Sequence, residues 1–160
     1  MKDQKHKNMP RIYGISGLKF YNVSWAVGEG MPNNPEDVML VQWMLKRHFM
    51  RSDRRAMLGN NVWGINVING VRGSELIEVI KIYQYDTALN VRGSKMKLDG
   101  KIYPIQSCPG VNHSPMALIN FSVASNFKTF YDNPATDPLI VMETKAMVER
   151  CFGQQKMLAA

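Results

Sequence analysis

One segment constrains this chain more than any other. The run from Asn34 to Met50 is apolar on two nearly opposite sides of a single helix. Asn34 is a good N-cap and Pro35 suits the first helical position. Glu36 and Asp37 meet the positive end of the helix dipole. Val38, Val41, Met44, Leu45, His48 and Phe49 share one side at helical spacing, and Met39, Trp43 and Met50 lie nearly opposite. A helix patterned in this way is sandwiched between two layers. The second layer is either another part of the chain or a partner protein.

The chain itself offers candidates for that layer. Residues 11–27 alternate with period two and carry aromatics, which suggests a short hairpin. Residues 28–35 are loop by composition. Ser74 can cap a second helix over about 75–87. Asn69-Gly70 and Asp99-Gly100 are turn signals. The C-terminal third is punctuated by Pro104, Pro109, Pro115, Pro134 and Pro138. Between these prolines lie two candidate helices, about 115–131 and 138–152, the latter ending at Gly153. With 160 residues, 45% of them hydrophobic, the chain can bury a core without metal or disulfide.

A resemblance covers residues 34–106. Asp37-Val38-Met39-Leu40-Val41-Gln42-Trp43-Met44-Leu45 resembles the opening helix of peptidoglycan-binding-like domains, with its D-V-x-x-V-Q-x-x-L pattern. Ile68-Asn69-Gly70-Val71-Arg72-Gly73-Ser74-Glu75 is similar to the family's D-G-x-x-G-P-x-T turn. Ile80-Lys81-Ile82-Tyr83-Gln84 resembles its A-I-x-x-F-Q ending, and Leu98-Asp99-Gly100-Lys101-Ile102-Tyr103-Pro104 its second turn. The sequence departs at Asn69 for Asp, Ser74 for Pro and Tyr103 for Gly. An Asn/Asp-Gly pair allows a tight turn with positive φ at Gly. The Gln can bond loop backbone that would otherwise be buried unpaired.

The expected fold is therefore mainly α: a small three-helix peptidoglycan-binding-like core with an N-terminal β-hairpin and extra C-terminal helices. The expected organisation is a basic tail over 1–10, the hairpin and core over 11–106, and a helical extension over 107–160 packing on them.

Charge bears on partners. The net charge of +7 suits anionic ones. The run Lys46 to Arg55 carries Lys46, Arg47, Arg51, Arg54 and Arg55 against the single acid Asp53. Together with Arg72 and the aromatic Trp63, these are the candidate contacts to a wall polymer or another polyanion. Met39, Trp43 and Met50 are the candidate protein contact, since Met supplies adaptable surfaces and twelve are present.

No G-x-S-x-G, H-E-x-x-H or P-loop occurs, so no catalytic residue is assigned and the chain is read as no enzyme. His113 near Cys108 has no evident orienting partner. Cys108, Cys151, His6, His48 and His113 lack zinc-ligand spacing, so neither metal nor cofactor is expected. The N-terminus has no signal-peptide pattern and no membrane helix is present, which places synthesis in the cytoplasm. The altered turns, the missing export signal and the extra helices favour an adaptor that holds another protein or its own copies. A phage tail or contractile secretion apparatus would be its setting. The alternatives are a bacterial cell-wall binding module and, third, a nucleic-acid-binding protein.

Overall fold

The computed structural model describes residues 11–15, 18–51, 53–58 and 68–140. The basic tail, Trp63, and the expected last helix beyond 140 with Cys151 and Gly153 lie outside the described residues. Among those described, the fold is mainly helical. Strands β1 (Arg11–Ile15) and β2 (Leu18–Asn22) pair antiparallel, with Tyr13 opposite Phe20. The helices are α1 (Pro35–Phe49), α2 (Ser74–Asn90), α3 (Pro115–Asn126) and the short α4 (Lys128–Asp132). No described helix is long and apolar enough to cross a membrane.

Helix α1 is the axis of the molecule, packed against α2 and α3. Both of its apolar sides are covered: Val38, Leu45 and Phe49 are buried, and so are Met39 and Trp43. The reading of Met39 and Trp43 as a protein-docking surface is thus corrected. The chain supplies its own second layer, from α3 and the segment after α4. Trp43 Nε1 donates to Asp137 Oδ2 at 2.7 Å, so its polar edge is also satisfied within the chain. Met50 is half-buried and its sulfur faces Arg47 Nη1 at 3.7 Å.

Two turns are built alike. Gln42 Oε1 accepts the N–H groups of Asn69 (3.0 Å) and Gly70 (2.9 Å), and its Nε2 donates to Asn69 Oδ1 and the Val71 carbonyl. Gln84 Oε1 accepts Gly100 N–H at 2.8 Å, and its Nε2 donates to Asp99 Oδ1 and the Lys101 carbonyl. In each turn the Asn or Asp oxygen also accepts the N–H two residues on. Each Gln is buried and satisfies backbone that has no water to turn to. Gly70 and Gly100 have φ of +76° and +69°. A side chain at Gly70 would also meet the Pro35 carbonyl oxygen at 2.7 Å.

A single hydrophobic cluster runs through hairpin, helices and C-terminal segment, including Tyr21, Val38, Trp43, Ile80, Ile119 and Tyr131. The polar tie across it is Asn120. It accepts Tyr21 N–H at 2.7 Å and donates to the Tyr21 carbonyl at 2.8 Å, as a neighbouring strand would. The Tyr131 hydroxyl lies 2.6 Å from Lys19 O and 2.7 Å from Asn120 Oδ1, two acceptors within reach of its one proton. Val27 and Ile102 exchange both backbone bonds, closing the lead-in to α1 onto the second turn.

Two boundaries differ from expectation. Ser74 is the first residue of α2 rather than its cap, which is Gly73. The helix expected over 115–131 breaks at Phe127, with φ −138° and ψ 48°. Beyond the break, Phe127 and Phe130 both stack on the Arg47 guanidinium, at 4.8 and 4.5 Å. An unbroken helix places residues three apart on the same face but cannot also turn Tyr131 back to Lys19.

Candidate functional site

A cleft of about 660 Å³ opens where the C-terminal ends of α1 and α2 meet α3. His48 comes from α1, Asp86 from α2 and Ser122 from α3, at positions 38 and 74 residues from His48. The α1 helix ends at Phe49, so Arg51 and Arg54 follow on the turn and reach over the same floor.

The floor is a continuous chain of polar contacts. His48 Nε2 lies 3.0 Å from Asp86 Oδ2, and His48 Nδ1 lies 2.7 Å from Ser122 Oγ. Arg54 donates to Asp86 Oδ1 at 2.8 Å, and Asn90 Nδ2 donates to the same oxygen at 2.7 Å. Arg51 donates to Ser122 Oγ at 3.3 Å and to Asp53 at 3.1 Å. Burial pushes the Asp86 carboxyl up, but the hydrogen bond and charge of His48, with Arg54 and Asn90, outweigh it. The group is held below the usual carboxylate range. The walls are of a different kind. Val91 and Phe121 are exposed apolar surfaces at the rim, beside Ser125 and Asn126.

The Ser122–His48–Asp86 contacts have the connectivity of a nucleophilic triad with the ring nitrogens exchanged. Two features set them apart from one. Ser122 lies in the interior of α3, where backbone N–H groups are taken by the helix and cannot form an oxyanion hole. Asp86 is shared among His48, Arg54 and Asn90. The arrangement ties three helices together and presents a polar, ion-paired floor.

The structure separates the sequence-predicted residues. Arg51 and Arg54 line the cleft. Arg47 does not: it is buried, bonded through Nε (2.7 Å) and Nη2 to the Asp137 carboxylate. Its reading as a polymer contact is corrected, because a guanidinium paired inside the core has no face to offer. Lys46 is half-buried, and burial lowers its pKa, with Asp137 opposing and Arg47 adding to the effect. Arg55 is exposed on the short turn Arg55–Met57, and Arg72 is half-buried on the loop after Gly70. Neither lines the cleft. Cys108 and His113 do come together, around a second opening of about 240 Å³. Burial raises the Cys108 thiol, which Ser114 opposes and Asp99 reinforces, so the thiol is not set up as a thiolate.

Asp86, Ser122 and Phe121 were not legible as site residues. They stand on three helices with no motif spacing, and only packing brings them together. Among the described residues no group of three His, Cys, Asp or Glu side chains could hold a metal ion. No protein-family model matches the chain, and no curated protein or solved structure matches it either.

Proposed function

We propose that this chain is a non-catalytic binding module that grips a glycan of the bacterial cell wall in the cleft between α1, α2 and α3. The observation that carries the reading is the cleft's lining: an ion-paired floor, apolar rims at Phe121 and Val91, and amide and hydroxyl groups between them. Such a surface suits an uncharged ligand with apolar faces and hydroxyl edges, as a sugar ring has. The two Gln-held turns support the peptidoglycan-binding-like scaffold, because they give a physical role to the residues on which the resemblance rests.

Co-sedimentation with purified sacculi tests it. The expected outcome is binding at moderate salt that Phe121→Ala weakens about tenfold, with an unchanged circular dichroism spectrum. Absence of sedimentation at moderate salt sinks the reading. Its non-catalytic part has its own check. Release of p-nitrophenol from p-nitrophenyl acetate should be the same for wild type and Ser122→Ala. A Ser122-dependent rate would make the floor a reaction centre instead.

The adaptor reading survives on different residues. Tyr85 and Leu89 are 52% and 64% exposed, one turn apart on α2, and form an apolar contact point that Met39 and Trp43 cannot. Light scattering and co-purification test it. A strict monomer with no co-purifying partner counts against an adaptor in a phage tail or secretion apparatus. The nucleic-acid reading loses Arg47, which is buried against Asp137, and would rest on Arg51, Arg54 and the exposed Arg55.

A further inference from the structure

A second group of cations, without ion pairs among the described residues, lies away from the cleft. The second opening, about 240 Å³, is lined by Lys95, Lys97 and Lys101 together with His113, Tyr103 and Ser107. Among the described residues none of these three ammonium groups is in an ion pair. The contrast with the cleft is complete, for there each of His48, Arg51 and Arg54 faces a carboxylate.

One acid, Asp99, lies in the lining, and its Oδ1 is committed to the turn. That oxygen accepts Gln84 Nε2 and Lys101 N–H, both at 3.0 Å. The opening is therefore lined by three lysines and by one aspartate whose Oδ1 is turned into the frame. Cys108 adds no negative charge, because burial keeps its thiol protonated.

The lysines also stand on a fixed frame. Lys95 N–H donates to the Asn112 carbonyl at 2.9 Å, which pins the loop to the turn that carries His113. The backbone of Lys101 is held by Gln84, and Gly100 by the same side chain. Like charges lining one opening repel, and a bound anion would relieve that repulsion.

We propose that this opening is a binding site for a phosphoryl group, distinct from the cleft and independent of its ligand. Its size admits one such group and a small substituent, roughly eight waters' worth of space at about 30 Å³ each. Cations arriving from both sides of the Asp99-Gly100 turn, with a hydroxyl and an imidazole, match three phosphoryl oxygens better than the two of a carboxylate. The chemistry is common to phosphate monoesters and to the phosphodiester units of wall polymers.

Titration followed by amide shifts in NMR spectra tests this, at constant ionic strength. The probes are inorganic phosphate, glycerol 3-phosphate, dimethyl phosphate and acetate. The expected result is saturable shifts at Lys95 to Tyr103 with phosphate and glycerol 3-phosphate, and about tenfold weaker binding of acetate. Saturable dimethyl phosphate binding would assign the site to diesters, and its absence to monoesters. Lys97→Gln with Lys101→Gln should weaken phosphate about tenfold while the unfolding midpoint stays unchanged, since neither ammonium group holds the fold. Phosphate affinity unaffected by the double substitution overturns the proposal. So does a response to phosphate that never saturates, or one equal to that of acetate.

Discussion

Asp137 shows how much one residue can hold. Its carboxylate accepts from Arg47, from Trp43 Nε1 and from the Leu139 N–H, so it joins α1 to the segment after α4. Arg47 and Asp137 are both buried, and the value of such a pair lies mainly in neither charge being left alone. Asp137→Ala is expected to cost about 3–5 kcal/mol in urea unfolding, because it strands the guanidinium between Phe127 and Phe130. Adding Arg47→Met should recover part of that loss. A cost under about 1 kcal/mol for Asp137→Ala would show that water reaches Arg47. The pairing was invisible in the sequence. Arg47 stands in a basic run that reads as a surface, and its partner is 90 residues away.

At the scale of the element, the repeated device is a helix whose Gln holds the turn that follows. Gln42 serves the turn at Asn69-Gly70 and Gln84 the turn at Asp99-Gly100. Gln42→Ala and Gln84→Ala should each cost about 2–4 kcal/mol, since each orphans buried donors and acceptors. Native-state hydrogen exchange separates them. The Gly70 amide should lose protection in the first variant and the Gly100 amide in the second. Loss at both turns in either variant would mean that the turns are held jointly. This device was the most legible part of the chain, because every partner but the backbone is named by a short pattern. The start of α1 was legible too, through Pro35, Glu36 and Asp37. The break at Phe127 was not, because it is set by what Phe127, Phe130 and Tyr131 must reach.

At the scale of the molecule, the three helices meet on the His48–Asp86–Ser122 floor, and that junction gives stability a pH dependence. Asp86 has a folded-state pKa below its unfolded value of about 3.9. Its contribution is therefore complete above that value and is lost as pH falls through the folded one. Urea midpoints measured from pH 6 to 2 should drop along this limb, and Asp86→Asn should flatten it. An acid limb of equal slope in the variant would assign the loss to other carboxylates. The same junction explains where charge is available for binding. In the basic run 46–55, Arg47, Arg51 and Arg54 pair with Asp137, Asp53 and Asp86, whereas Lys95, Lys97 and Lys101 form no ion pair among the described residues. Counting charges along the chain favoured the first run, and only their partners reverse the order.

What the sequence alone determined was local: where α1 and α2 lie, that Gly70 and Gly100 take positive φ, and which glutamines hold the turns. These follow from periodicity, capping and turn chemistry, all of which act within a few residues or across one loop. What the tertiary structure decided was which apolar face is core and which cation is free. The Met39 and Trp43 side of α1 could have been a docking surface until α3 and Asp137 covered it. A helix patterned on two sides states that both are covered but not by what, because the covering residues come from elements that only packing brings near.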